Sequence, residues 1–319
     1  MTIAPLLPPY FIAFAYRLVG LPCALRLTDA PASESLRPKA RFKGIIMSLL
    51  IHTGGTIGMV PGPDGLTPGE GIVEAAVGKR ARVVSFDPLL DSADVGPSHW
   101  NNLLDLIEAE NGPVVITHGT DTMAYTGAAL AQALVGWPHP VVLTGAMHPL
   151  GLQLDAEANL ELALAVTPPA GVWLAFADQL LPAGHLVKAD SSGDKAFRAV
   201  AVQDMPEAIW EKRRFAQKRL AVLTLSPGLP VTMLEAALAE LDAAVLRVFG
   251  AGTIPSDPGI EAALTNAQIP LRAVTTCENG GLAKGAYAAG AALWRAGVEN
   301  GEAETPEAAL INLWLRLPA

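Results

Sequence analysis

The chain has 319 residues, 51% of them hydrophobic and 17% charged, which allows two domains or one large one with a sizeable core and argues against disorder. Its net charge of −9, from 22 basic and 31 acidic residues, disfavours a nucleic-acid or anionic-membrane partner, because phosphate contacts need clustered Lys and Arg. Its two cysteines, Cys23 and Cys277, are too few for a disulfide framework or a four-thiolate zinc site and point to a reducing cytoplasm.

In chain order, residues 1–46 stand apart. They carry six basic groups (Arg17, Arg26, Arg37, Lys39, Arg41, Lys43) and two acids (Asp29, Glu34), a net +4 against −13 for the remainder. Tyr10 to Leu27 is apolar except for Arg17 and Arg26. A secretory signal would carry its charges ahead of the apolar run, and an Arg inside a membrane span is costly. The reading is a non-core extension, with Met47 as an alternative start.

From Met47 short apolar runs alternate with longer amphipathic ones. Met47–His52, Arg82–Phe86, Val114–Thr117, Val141–Leu143 and Gly171–Phe176 read as buried strands. Between them, Ser98–Glu110 reads as a helix with Ser98 as its N-cap. Thr122–Val135 reads as an Ala-rich helix stopped by Gly136 and Pro138, and Asp155–Val166 as a third helix ahead of Pro168. Such alternation implies a mostly parallel sheet with right-handed crossovers.

A second alternating block follows. Its strands are Leu220–Leu225, Ala244–Phe249 and Ala273–Thr276; its helices are Thr232–Leu241, Gly259–Ala267, Ala286–Ala296 and Pro306–Leu317. The dense charges of residues 203–218, including Glu211, Lys212, Arg213 and Arg214, read as a solvated linker. The expected organisation is an extension (1–46), a larger N-terminal α/β domain (47–202), the linker and a smaller C-terminal α/β domain (219–319).

Two threonine-centred segments follow strands. Thr53-Gly54-Gly55-Thr56-Ile57-Gly58 follows the first, and Thr117-His118-Gly119-Thr120-Asp121-Thr122-Met123 ends the Val114 strand and opens a helix. Open α/β sheets bind ligands at strand carboxyl ends. Glycines allow backbone N–H groups to approach a ligand, and a helix start supplies N–H groups suited to an oxyanion. The first loop lacks the Lys-Ser/Thr of a phosphate-binding loop and has no Gly-x-Gly-x-x-Gly pattern. Thr120 or Asp121 taken alone could be helix caps, but together the segments suggest nucleophilic chemistry on a small polar substrate. His99 and His148 show no metal-ligand spacing with Cys, Asp or Glu, so no metal and no cofactor is expected. His52, at the end of a buried strand, reads as a satisfied hydrogen-bonder, and His118, inside the motif, as orienting the loop. Cys277 reads as a small buried residue.

These motifs resemble the L-asparaginase family, the bacterial-type threonine amidohydrolases and especially the cytoplasmic type I, over Met47 to Leu317. The resemblance implies a two-domain α/β fold whose C-terminal domain is flavodoxin-like. It implies hydrolysis of the side-chain amide of L-asparagine to aspartate and ammonia through an acyl-threonine. In it Thr56 matches the nucleophile, and Thr120, Asp121 and Lys188 match the threonine–aspartate–lysine set. Ser92 matches the residue holding the substrate α-carboxylate, with Ala93, Gly55 and Gly119 beside it, and Asp121 is also expected on the substrate ammonium. Thr144 to Pro149 and Asp155 to Leu160 match further family segments. The resemblance also implies a homo-oligomer.

The chain departs from the family pattern in the lid after the first motif, where Leu66 stands in place of a tyrosine and Thr67 offers the nearest hydroxyl. Thr253 replaces a substrate-contacting Asn, and Glu278 is a weak match for a subunit-crossing carboxylate. Two alternatives stay open: an ammonia-supplying subunit of a glutamyl-tRNA amidotransferase, and a non-catalytic or weakly active amino-acid-binding homologue.

Overall fold

A computed structural model describes residues 49–200 and 208–318; the extension read at 1–46, with Cys23, lies outside them. The first sheet begins with β1 (Leu49–Gly54). It is followed by a hairpin, β2 (Met59–Gly62) and β3 (Gly65–Pro68), the short helix α1 (Ile72–Val77) and β4 (Arg82–Leu90). Next come α2 (Pro97–Glu110), β5 (Val114–Thr117), α3 (Met123–Ala133), β6 (Pro140–Thr144), α4 (Leu154–Ala165), β7 (Gly171–Phe176) and β8 (Gln179–Pro182). The order across the sheet is β4-β1-β5-β6-β7-β8. Every pairing is parallel except β7 with β8.

Strand side chains alternate between faces. Leu49 and Ile51 of β1 therefore join Val114 and Ile116 of β5 on one face, under Leu103, Leu104 and Ile107 of α2 and Leu130 of α3. Leu50 and Val115 point the other way, against Val73 and Val77 of α1 and Leu160 of α4. A strand covered on both faces has to be apolar at every position, which is why these runs stand out in the sequence.

A two-stranded ribbon, β9 (Leu186–Lys188) with β10 (Phe197–Ala199), follows β8. The second sheet is wholly parallel in the order β11 (Leu220–Thr224), β12 (Ala243–Val248), β13 (Leu271–Thr275), β14 (Glu299–Asn300). On one face lie α5 (Val231–Glu240), α6 (Pro258–Asn266) and α7 (Ala291–Arg295). The terminal helix α8 (Pro306–Arg316) covers the other face. Its Ala309, Leu310 and Leu313 pack on Val245 of β12, while its Ala308 and Ile311 enter the core of the first sheet.

Several expectations need correction. The second helix is capped by Gly96 with Pro97 at its first position, not by Ser98; the His99 ring Nδ1 accepts the Gly96 N–H at 3.2 Å. The helix expected over Ala286–Ala296 is reduced to a 3₁₀ turn (Ala288–Gly290) and the five-residue α7, because Tyr287 is extended and helical backbone begins only after it. The charged run expected as a solvated linker is tied down along residues 208–218. Arg214 donates to Glu108 at 2.7 and 2.8 Å and to Asp105 at 2.5 Å, and Phe215 is buried 5.1 Å from the Trp100 ring. Cys277 is exposed rather than buried.

Candidate active site

Because β4, β1, β5 and β6 run parallel, their carboxyl ends share one edge. The chain passes from β1 to β4 on one side and then to β5 on the other, so the order reverses between β1 and β5. Ligands of open α/β sheets bind at such a switch point. The segments leaving these two strands carry Thr56 and Thr120.

The turns touch through backbone. Gly55 has φ 84°, a left-handed conformation, and a Cβ there would sit 2.4 Å from the Gly119 Cα and N. A Cβ on Gly119 would sit 2.6 Å from Ser92 Oγ. Both glycines are thus required by close approach, and Thr56, Ser92 and Thr120 converge. Further ties fix the register: Thr53 Oγ1 donates to the Thr117 carbonyl at 2.9 Å, and His52 Nδ1 lies 2.7 Å from Thr117 Oγ1. Asp91 accepts the Ala93 N–H at 2.9 Å and so shapes the turn carrying Ser92, whose carbonyl accepts from Thr122 Oγ1 at 2.5 Å. The β6 loop closes over the first turn, with the Leu150 N–H donating to the Ile57 carbonyl at 3.2 Å.

Lys188, at the end of β9, completes the group. Its Nζ donates to Thr120 Oγ1 at 2.9 Å and to Asp121 Oδ1 at 2.5 Å. Ser92 and Thr120 are buried, Thr56 and Lys188 half-buried, and Asp121 exposed. Among the described residues, the Thr56 hydroxyl, the Ser92 hydroxyl and the Thr120 N–H have no protein hydrogen-bond partner. Unpaired polar groups at a crevice invite a ligand that supplies the missing partners.

Behind this edge lies a buried polar chain that sequence reading missed beyond His118 itself. His118 Nδ1 is 2.7 Å from the Gly119 carbonyl and its Nε2 is 2.9 Å from Thr126 Oγ1, which accepts from Trp100 Nε1 at 3.1 Å. Burial pushes His118 down to about 4 and also lowers His52. The signal for Thr126 was a hydroxyl on the apolar face of the Ala-rich helix. Asn159 is bonded at both ends of its amide, Nδ2 to the Gly145 carbonyl at 2.9 Å and Oδ1 from the Ala177 N–H at 2.8 Å.

Among the described residues, the other singled-out side chains make no hydrogen bond to this cluster. Leu66 sits opposite Pro61 in the β2–β3 hairpin and is 47% exposed; Thr67 pairs with Val60. Thr253 Oγ1 approaches its own turn's Phe249 carbonyl at 3.4 Å. Glu278 is exposed, with its carbonyl accepting from Arg198 at 3.3 Å. His148, without an acidic neighbour at metal-ligand spacing in sequence, is brought by folding to Asp155 at 3.2 Å and Asp194 at 4.0 Å. Hydrogen bonds explain that pair: Asp155 also accepts the Met147 N–H at 2.7 Å.

Two family models match the chain, "Asparaginase, N-terminal" over residues 48–220 and "Glutaminase/Asparaginase C-terminal domain" over residues 219–318. The chain is similar to L-asparaginase 1 of Escherichia coli (strain K12), 31% identical over 82% of this chain and 89% of that protein. Among solved structures it resembles the thermostable L-asparaginase from Thermococcus kodakarensis (TM-score 0.74, 28% identity, 84% of this chain and 91% of that one). It also resembles L-asparaginase I from Vibrio cholerae (TM-score 0.72, 29% identity, 86% and 94%). Among the described residues no helix is long and apolar enough to cross a membrane.

Proposed function

Since the chain belongs to the asparaginase family, we propose that it hydrolyses the side-chain amide of L-asparagine to L-aspartate and ammonia, with Thr56 as nucleophile. The observation that carries this reading is the reach of Lys188 across 68 residues of sequence to Thr120, in a turn whose backbone abuts the turn of Thr56. A ligand between the turns meets a free hydroxyl, a lysine-bonded hydroxyl and an unpaired N–H together.

In the proposed sequence the Thr56 oxygen attacks the amide carbon, while its proton passes through the Thr120 hydroxyl and Lys188 amine to the amide nitrogen. The resulting oxyanion is held by backbone N–H groups, of which Thr120 supplies one. The carbon–nitrogen bond breaks, ammonia leaves, and an acyl-threonine ester remains. Water then adds to the ester; its oxygen stays on aspartate and a proton returns to Thr56. Ser92 is assigned to the substrate α-carboxylate, with Ala93, Gly55 and Gly119 forming the surrounding wall. Asp121 has its second carboxylate oxygen available for the α-ammonium. Leu66 has no ionisable or hydroxyl group to lend, so this route assigns proton transfer to Thr120, Asp121 and Lys188.

The test is ammonia release from L-asparagine together with intact-mass detection of an ester on Thr56. Silence at high enzyme concentration across asparagine, glutamine and related amides would overturn the reading. Saturable aspartate or asparagine binding without turnover would instead support the non-catalytic homologue. The family reading also carries a homo-oligomer, which light scattering checks.

A further inference from the structure

We propose that His118 is a positioning residue: a neutral imidazole, locked as its Nδ1–H tautomer by Thr126 and Trp100, that aims the Thr120 N–H into the cleft. The inference deepens the proposed function and rests on it for its catalytic meaning.

The hydrogen-bond roles follow from what each group can do. The Gly119 carbonyl only accepts, so His118 Nδ1, 2.7 Å away, carries a hydrogen. The ring is 1% exposed and makes no hydrogen bond with a carboxylate, conditions that keep it uncharged. A neutral ring has one N–H, so Nε2 is a bare lone pair, and Thr126, 2.9 Å away, must donate to it. The Thr126 oxygen is thereby left free to accept the Trp100 N–H, which can only donate, at 3.1 Å. Donation runs one way, from the indole of α2, through the hydroxyl of α3, through the imidazole, to the Gly119 carbonyl.

The Gly119–Thr120 peptide is planar and trans, with its C=O and N–H pointing in opposite directions. Holding the carbonyl inward on His118 turns the Thr120 N–H outward. That N–H has no protein acceptor among the described residues, and it neighbours the hydroxyl that Lys188 holds. The buried chain therefore sets the direction of a donor facing the substrate without touching substrate itself.

Two measurements test this. In wild-type protein labelled with ¹⁵N-histidine, the His118 ring should show Nδ1 protonated and Nε2 bare at neutral pH. An Nε2–H tautomer would overturn the assignment, whatever the activity. Then His118→Asn keeps an amide donor near the Nδ1 position, whereas His118→Gln offers its amide near Nε2 and loses the donor to Gly119. Both should lose comparable thermal stability. His118→Asn should hold kcat within about tenfold, while His118→Gln should lose about a hundredfold in kcat with little change in KM. Equal losses in the two variants, or the reverse order, would reduce His118 to a packing residue. A wild-type chain without amidase activity would defeat the proposed function, and the tautomer readout would still decide the assignment.

Discussion

Both sheets carry polar residues at the carboxyl ends of their parallel strands, and they use them differently. On the second sheet, Thr275 Oγ1 donates to the Gly250 carbonyl at 2.7 Å and accepts the Cys277 N–H at 3.0 Å, while Thr253 turns back on Phe249. Those hydroxyls stitch the turns of their own sheet to one another and to themselves. On the first sheet, stitching is done by the groups behind the edge, His52, Thr53, His118 and Thr122. That division of labour leaves Thr56, Ser92 and the Thr120 N–H with unused hydrogen-bonding capacity. A hydroxyl after a strand is thus informative only once its partners are known.

Substitutions on the two edges would break or sharpen this contrast. Thr56→Ala should lower kcat by about a thousandfold or more in ammonia-release assays with the fold intact by circular dichroism. Retained turnover would remove Thr56 as nucleophile. Lys188→Met should cost about a hundredfold or more, the range of a lost proton-transfer group, with KM less affected. Gly119→Ala forces a methyl against Ser92 Oγ and should lower kcat/KM by about tenfold to a hundredfold, through misplacement of both turns. On the opposite edge, Thr253→Ala should alter activity by less than about threefold, since its hydroxyl serves its own turn.

Stability offers a pH-dependent version of the same comparison. His118 titrates near 4 in the fold and near its ordinary 6.5 when unfolded. Between those values the unfolded chain binds the extra proton, so stability from the neutral ring is fully present above 6.5 and is lost as pH falls toward 4. The slope is at most about 1.4 kcal/mol per pH unit, and His52 acts in the same direction. Urea denaturation from pH 7 to 4 should show a shallower decline in His118→Asn than in wild type.

The core of the first sheet was legible because burial on both faces leaves no polar position. Val114–Thr117 and Gly171–Phe176 are observed with the bounds read from sequence. The β2–β3 hairpin was not legible: residues 59–68 are rich in Gly and Pro and mostly exposed, so no apolar alternation marks them. Phe215 was hidden among charges, and its burial depends on Trp100, far away in sequence. Pro97 at the first position of α2 was a better guide than Ser98, since its missing N–H costs nothing there. In the sequence, strand-end placement pointed to Thr56 and Thr120, whereas Lys188, at the end of the three-residue β9 that no apolar run marks, had no signal of its own and rested on family resemblance. The Trp100–Thr126–His118 chain joins three elements and exists only after packing.

The terminal helix has a consequence for how this molecule comes apart. Two faces of α8 plug two different cores, and its Trp314 packs 5.6 Å from Trp100 while its indole N–H donates to the Ala216 carbonyl at 2.8 Å. Deleting the last dozen residues would therefore strip a wall from both sheets at once. Melting should follow as one calorimetric transition, and neither sheet is expected to survive expression as a fragment.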